Sequence, residues 1–451
     1  MAQVQLDLGV IIQRRKLRRL RASNFKSFKS LDVTFGDFTV IVGGNATGKS
    51  SLVEAARFLC DVAENGLEDA FGMHGGIDYV RNVVIGQDQP LKLGVEFEID
   101  FERPVVLVPK TLSKKTSKED TRAAQKQAAL RITRLEYSLT IAFGKRGPGY
   151  NIREDRLIAI GTFVATDSKS NKENLGQGSI ICELTERGPK WKMDFSGDFR
   201  LADEETRWFE NMSAHAGASE IYKPPIIHQP VLLFPGLFPL FSMQALFDGM
   251  AFFDFDPKLP KQSATITGPA RLEEDGQNLA IVLRPIIQSK AKYKKLRSLL
   301  KELLPFVDQV SVRKLEDKSF LITLKEAHNR DYAMPSTLLS DGTIHATALL
   351  VALYFDEAFF AVVEEPERNL HPKIIEKLMA LMKERAAEKQ LLITTHNPEV
   401  LAHINLDSIL LVRRGKEGFS EVQRPADSAE VKQFVKDEIG ISALFVQGLL
   451  D

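Results

Sequence analysis

Cysteine is nearly missing from this chain. Cys60 and Cys182 are the only two in 451 residues, which excludes a disulfide scaffold and implies a reducing compartment. A net charge is missing too: 60 Lys and Arg stand against 60 Asp and Glu, so the chain-wide basic excess of a dedicated nucleic-acid binder is absent. The uncharged stretch 224–247 is broken by Pro224, Pro225, Pro230, Pro235 and Pro239, which excludes a spanning helix of about 20 residues there. Leu8 to Ile12 is too short for a signal peptide. Heptad runs and internal repeats are lacking, which argues against a long coiled coil or a solenoid. With 44% apolar and 27% charged residues, the chain has an ordinary globular composition and is not disordered. A soluble cytoplasmic protein with no membrane partner is expected, and the length suits two to four structural units.

The zero net charge conceals a gradient. Residues 1–50 carry nine basic and three acidic side chains, whereas residues 336–451 carry 12 and 18. Either the two ends neutralise each other in one fold, or each marks a partner surface. The densest basic run is Arg14, Arg15, Lys16, Arg18, Arg19 and Arg21. On a strand, Arg19 and Arg21 share one face and Leu20 the other. Three readings stay open for it: DNA phosphate contacts, an acidic partner, or a solvated strand edge blunted by charge.

Periodicity predicts strands at Leu17–Asn24, Leu31–Phe35 and Phe38–Val42, then an amphipathic helix over Ser50–Glu64. Further strands are expected at Leu91–Phe101, Leu135–Phe143 and Arg156–Thr166, with an exposed loop or helix over Lys110–Gln127. The pattern turns mainly helical from Asp203 to Lys295, and Ile287–Leu304 reads as one helix. Two strands follow, Gln309–Leu315 and Ser319–Leu324. The last 110 residues read as α/β, with strands at Phe359–Val363, Gln390–Thr394 and Ser408–Val412 and helices over 343–355 and 372–388.

Gly43-Gly44-Asn45-Ala46-Thr47-Gly48-Lys49-Ser50 fits G-x-x-x-x-G-K-[ST] at every fixed position. Glycines let backbone N–H groups curl around phosphate oxygens, and the following helix contributes the positive end of its dipole. Lys49 would reach the β- and γ-phosphates of ATP, and the Ser50 hydroxyl would ligate Mg²⁺. The loop lies between an apolar strand and an amphipathic helix, the setting this motif requires.

Such a loop needs a second carboxylate for the metal. Five apolar residues, Phe359 to Val363, end on Glu364 and Glu365. Glu364 would hold Mg²⁺ and Glu365 would act as general base on the attacking water. Leu339-Ser340-Asp341-Gly342-Thr343 opens a helix, with Ser340 a good N-cap and N–H groups presented to an anion. His396, at the end of the next apolar strand, would stand beside the carboxylates and sense the γ-phosphate. Asp254 and Asp256 form a D-x-D, the spacing of some metal nucleases, for which a turn is the alternative. The Phe-rich stretch 234–255 suits either an oligomer surface or a lid core.

Together these motifs resemble the ABC-type ATPases of the SMC, RecF and overcoming-lysogenization-defect group, above all its single-chain bacterial "AAA family ATPase" branch. The resemblance covers about 17–100 and 268–451. It implies an α/β fold: an ABC-ATPase head (P-loop NTPase) split by a mixed α+β insertion and a helical lid. An N-terminal ATPase lobe would span 1–205, lid and insertion 206–335, and a C-terminal lobe 336–451. Leu339 to Thr343 then corresponds to the signature that binds ATP held by a partner subunit. Asn369, Leu370 and His371 correspond to the D-loop, and His396 to the His-switch. Asn24, Lys26 and Ser27 fall in the turn near the adenine, and Ser51 extends the ATP-binding set. Asp275 to Ala280 resembles a family segment leading into the lid helices. Asp341 departs from the glycine of transporter-type signatures, and Gln87 and Gln89 are rival candidates for a Q-loop.

The resemblance further implies an ATP-sandwiched homodimer, or a higher oligomer. It suggests a regulator in a bacterial anti-phage defence module whose separate effector is a protein such as a nuclease. A stand-alone DNA-binding repair ATPase of RecF type is the alternative, and a nuclease in its own right is a third.

Overall fold

The computed structural model describes residues 14–112, 118–144, 149–165, 174–185, 188–207, 244–266, 271–436 and 439–450. The chain forms two compact units, each assembled from separated stretches. The first comprises 1–35, 51–248 and 416–421; the second comprises 36–50, 249–415 and 422–451. Most of the uncharged stretch 224–247, with Phe234, Phe238 and Phe241, lies outside the described residues. Among those described, no helix is long and apolar enough to cross a membrane.

The first unit is built on an eight-stranded antiparallel sheet. Its strands are β1 (Arg14–Phe25), β2 (Phe28–Thr34), β4 (Leu91–Pro109), β5 (Lys126–Phe143), β6 (Tyr150–Ala165), β7 (Asn174–Thr185), β8 (Gly188–Phe195) and β9 (Phe199–Leu201). The order is β2-β1-β4-β5-β6-β7-β8, with β9 paired to β4. Alternation explains it: Leu91, Leu93, Val95, Phe97 and Ile99 are buried, while Lys92, Glu96 and Glu98 occupy the other face. The helix Lys49–Asn65 supplies the unit's core with Leu52, Val53, Ala56, Phe58, Leu59 and Val62. Phe58 packs against Phe25 and Phe71, with ring centroids 6.0 and 5.4 Å apart.

One polar cluster ties that helix down. His74 Nδ1 lies 2.7 Å from Glu54 Oε2 and its Nε2 lies 2.7 Å from Asp61 Oδ2. Lys26 Nζ donates to the same Glu54 oxygen at 2.8 Å. Burial alone would raise Glu54, but His74 and Lys26 outweigh it and hold the carboxyl at about 2. Burial likewise disfavours the His74 imidazolium, yet the two carboxylates raise its pKa above 6.5. The clamp is therefore at full strength between 4.5 and 6.5, the ordinary values of the two groups. It weakens as pH falls toward about 2 and as pH rises through the elevated His74 value. His74→Gln is expected to cost about 1–3 kcal/mol near pH 6, with the gap in melting temperature narrowing as pH rises through the elevated His74 value; a pH-independent gap would refute the clamp.

The second unit holds a mainly parallel sheet of β3 (Phe38–Val42), β10 (Met250–Phe253), β14 (Phe360–Glu364), β15 (Gln390–Thr395), β16 (Ile409–Arg414) and β17 (Ser420–Gln423). Their order is β10-β14-β15-β3-β16-β17. The pairs β10/β14, β14/β15, β15/β3 and β3/β16 are all parallel. These strands read as continuous apolar runs because both faces are covered: Val40 to Val42, Ala361 to Val363 and Ile393 are wholly buried. The helix Asp341–Tyr354 is buried along nearly its whole length, and Pro372–Ala386 contributes one face. A three-stranded antiparallel sheet of β11 (Val307–Lys314), β12 (Phe320–Glu326) and β13 (Asn329–Pro335) completes the unit.

Several expectations need correction. Within the region expected to be mainly helical from Asp203, Met250–Phe253 is a strand of the parallel sheet. The single helix over Ile287–Leu304 is two, Leu279–Gln288 and Lys290–Leu303, broken at Ser289, whose extended backbone caps the second. Strands β7, β8, β9, β13 and β17 are additional. Of the expected loop or helix over Lys110–Gln127, Lys118–Ala123 is a helix, and β5 begins at Lys126.

Candidate functional site

The glycine-rich loop leaves β3 within the second unit. Ala46 and Gly48 take positive φ values of 59° and 115°, which turns successive amides toward a common centre, a concavity suited to an anion. The helix begins at Lys49. Thr47 Oγ1 donates to the Gly44 carbonyl and Arg414 Nε to that of Ala46, each at 3.0 Å. Lys49 Nζ arches over the loop and donates to the Gly43 and Gly44 carbonyls at 2.8 Å. Burial lowers its pKa, against the opposing pull of Glu365, Glu364 and Glu367. Curled amides, a helix start and an overarching cation form a donor set that fits a nucleotide triphosphate.

Strand β14 carries buried Phe360, Ala361, Val362 and Val363 and ends on Glu364. Ser50 Oγ stands 3.5 Å from Glu364 Oε2. Two oxygen ligands from protein suit Mg²⁺, which otherwise draws on phosphates and water. Glu365 has a φ of 43°, and its N–H donates to the Thr394 carbonyl at 3.0 Å. Its Oε1 lies 2.7 Å from His396 Nδ1, and its Oε2 accepts from Arg368 Nη2 at 3.1 Å. Burial would raise the Glu365 pKa, but Arg368 and His396 outweigh it and keep the carboxyl ionised below its ordinary range. An ionised carboxylate held by an imidazole can take a proton from a water that approaches its free lone pairs.

Glu367 behaves oppositely. It is buried, its Oε1 accepts from Thr395 Oγ1 at 2.5 Å, and its Oε2 has no partner. Burial accordingly pushes its pKa up. The contact fixes Thr395 and so the base of His396.

Ser340 caps the helix Asp341–Tyr354, accepting from the Thr343 N–H at 3.2 Å. Leu339 is buried and Asp341 is ion-paired to Lys261. A Cβ on Gly342 would sit 2.5 Å from the Asn369 carbonyl oxygen, so glycine is what lets this helix start touch the Asn369 turn. Asn369 has a φ of 61°. Leu370 follows it, and His371 caps the helix Pro372–Ala386. Behind this contact His345 is buried, with Nε2 3.1 Å from the Pro366 carbonyl. Burial takes its pKa down to about 4, so it is neutral at physiological pH.

Asn24, Lys26 and Ser27 belong to the first unit, as does Ser51, the third residue of the helix Lys49–Asn65. There Asn24 Nδ2 donates to the Gly86 and Gln89 carbonyls. Lys26 pairs with Glu54, and the Ser27 and Ser420 hydroxyls lie 2.8 Å apart. Gln89 thus meets Asn24 through its backbone.

Arg14, Arg18 and Arg19 of the basic run are paired within the sheet. Strand β1 lies between β2 and β4, so it is not the solvated edge that its charges suggested. Arg14 and Arg18 pair with Glu98, Arg19 forks onto Asp32, and Leu20 is buried opposite. The D-x-D separates in space: Asp254 meets Arg368, whereas Asp256 Oδ1 accepts from the Lys258 N–H in a turn. Phe253 and Phe255 are core residues of the second unit, and Phe247 packs on Phe97 in the first. Sequence reasoning missed Arg368, whose signal was its place three residues beyond Glu365 in the same turn.

Residues 16–176 match a family model described as an AAA ATPase domain. Residues 241–402 match one described as an AAA domain, putative AbiEii toxin, Type IV TA system. No curated protein matches the chain. Among solved structures, an Smc head bound to the C-winged helix domain of ScpA is 16% identical, covers 90% of this chain and 97% of its own, and gives a TM-score of 0.43. An Smc head with an extended coiled coil, bound to the C-terminal domain of ScpA from Pyrococcus furiosus, is 13% identical, with coverages of 94% and 100% and a TM-score of 0.45. The SMC head domain from Thermotoga maritima is 13% identical, with coverages of 91% and 98% and a TM-score of 0.35. These likenesses are distant. With a P-loop at the end of a parallel-sheet strand, the chain is similar to AAA-type ATPase domains on either side of its middle, over residues 16–176 and 241–402.

Proposed function

We propose that the chain binds and hydrolyses ATP with Mg²⁺, pairs with a second copy around the nucleotide, and works as a switch. The carrying observation is the convergence, in one unit, of Lys49, Ser50, Glu364, Glu365 and His396. Gly43 to Lys49 would cradle the phosphates, and Lys49 would leave its loop carbonyls for phosphate oxygens. Ser50 and Glu364 would hold Mg²⁺, which supplies charge neutralisation between the phosphates. Glu365 takes the proton of the attacking water, and His396 holds that water and the imidazole-facing oxygen of Glu365 in register.

Leu339 to Thr343, with its capped helix start, would bind the ATP of the second copy, and Asn369 to His371 would adjoin it. Closing two such heads on ATP and opening them on hydrolysis converts nucleotide state into assembly state. The family description over 241–402 names a toxin–antitoxin system. That supports a defence module in which this chain is sensor or regulator and a separate protein, such as a nuclease, is the effector. Internal pairing of Arg14, Arg18 and Arg19 weakens the support for the DNA-binding repair alternative.

Lys49→Ala tests the reading. Calorimetric titration with Mg-ATP should show binding to the wild type and a loss of about 100-fold or more in the variant. Light scattering should show an ATP-dependent doubling of mass in the wild type alone. Unchanged ATP affinity in Lys49→Ala would refute the assigned phosphate site; wild-type mass unaffected by ATP would refute the switch.

A further inference from the structure

The paired ends of two neighbouring strands carry a relay that the ATP-site motifs do not include. Register between β10 and β14 sets Phe253 opposite Val363, so Asp254 and Glu364 emerge side by side at the same end of the sheet. Arg368 spans from there to the next carboxylate. Its Nη1 donates to Asp254 Oδ1 at 3.0 Å and to the Phe255 carbonyl at 3.4 Å, and its Nη2 donates to Glu365 Oε2 at 3.1 Å. The Arg368 N–H also donates to the Glu365 carbonyl at 3.0 Å. Glu365 is thus held by side chain and backbone from one residue, at a φ of 43° that a non-glycine residue keeps only when its surroundings enforce it.

We propose that Arg368 is a positioning residue for ATP hydrolysis, anchored by Asp254 and by the Phe255 carbonyl so that its fork fixes the Glu365 carboxylate against His396. The proposal rests on the reading of Glu365 as the proton acceptor. A planar guanidinium suits this task, because it can fix two acceptors on different elements at once, which an ammonium point charge does with less directional control. Around Glu365 stand His396 from the end of β15, Lys49 from the P-loop, Glu364 and Glu367 from its own turn, and Arg368. Of these, Arg368 alone links Glu365 to β10. Asp254, which looks like half of a nuclease motif in the sequence, becomes the anchor of that link.

Steady-state ATP hydrolysis by the full-length chain tests it, with calorimetric Mg-ATP binding and thermal melting measured in parallel. Arg368→Ala should lower kcat by about 10- to 100-fold with KM for ATP within about twofold, since a misplaced reacting group costs turnover before binding. Guanidinium ion at millimolar concentration should restore part of the loss, which a purely structural defect would not allow. Arg368→Lys should retain more activity than Arg368→Ala. Asp254→Asn should give a smaller loss of the same kind, and the double variant should be no worse than Arg368→Ala, because both act through one contact. An unchanged kcat in Arg368→Ala, a loss seen only in KM, or additive losses in the double variant would each overturn the proposal. If Arg368→Ala does not fold, Asp254→Asn decides alone: unchanged kcat overturns the relay. Should Glu365→Gln turn over ATP normally, the underlying reading fails instead, whatever Arg368→Ala does.

Discussion

Glu365→Gln is expected to lower ATP turnover by about 10²–10⁴-fold while leaving ATP affinity near that of the wild type. The amide keeps the size of the carboxyl and can still accept from Arg368 through its oxygen, so the turn should hold its shape. What it loses is the ability to take a proton from water. Lys49, Ser50 and Glu364, which would bind the nucleotide and metal, are untouched. A variant that binds but cannot discharge ATP should therefore accumulate as the ATP-joined dimer, visible as doubled mass that persists for hours under conditions in which the wild type returns to monomer. Rapid-quench measurement of phosphate release gives the decisive number. Turnover at the wild-type rate would remove Glu365 from the role of base and leave the His396 contact without a chemical purpose.

The second large effect concerns stability. Lys389→Met should destabilise the protein by about 3–5 kcal/mol, because it leaves a buried carboxylate with only the more distant Arg271, 3.9 Å away, as its cation. The side chains of Lys389 and its partner Asp356 are 2% and 3% exposed. Nζ donates to Asp356 Oδ1 at 3.1 Å and to the backbone carbonyls of Ala352 and Asp356 at 2.8 and 3.2 Å. Ala352 lies in the last turn of the helix Asp341–Tyr354 and Asp356 just beyond it, so the ammonium both pairs a charge and caps the C-terminus of the helix that begins at Ser340. Burial lowers the Lys389 pKa, with Asp356 opposing, the pattern of a charge held in place by its partner. The first melting transition should fall by roughly 10 °C. Adding Asp356→Asn should recover part of the loss, and a single variant that melts like the wild type would refute the account.

Local patterns made much of the site legible in the sequence. The P-loop, the apolar strand ending on Glu364 and Glu365, and the Ser340 cap all depend on residues within a few positions of one another, and each falls on the element its pattern predicted. The juxtaposition of Ser50 with Glu364 required only that two buried strands belong to one sheet. Arg368 was hidden because its partners are defined by a pairing between β10 and β14, more than 100 residues apart. Asp254 misled for the same reason, since its spacing from Asp256 is local while its contact is not. His74 offered no signal, because its carboxylates lie on a helix whose facing cannot be read from charge alone. Strand β7 opens on polar residues and glycines, among them Asn174, Gly176, Gln177 and Gly178, which resembles loop composition until a neighbouring strand supplies the ladder.

The position of β3 has a consequence for how the protein comes into being. Its two neighbours in the sheet come from the far end of the chain, with Phe38 opposite Leu391 and Val40 opposite Ile409. At about 5–20 residues per second, synthesis leaves this apolar strand without either partner for tens of seconds. The nucleotide pocket is therefore among the last features to be completed, although its loop is among the first to be translated. A chain that stopped short of Leu391 would leave β3, and the glycine-rich loop that follows it, without the strands on either side.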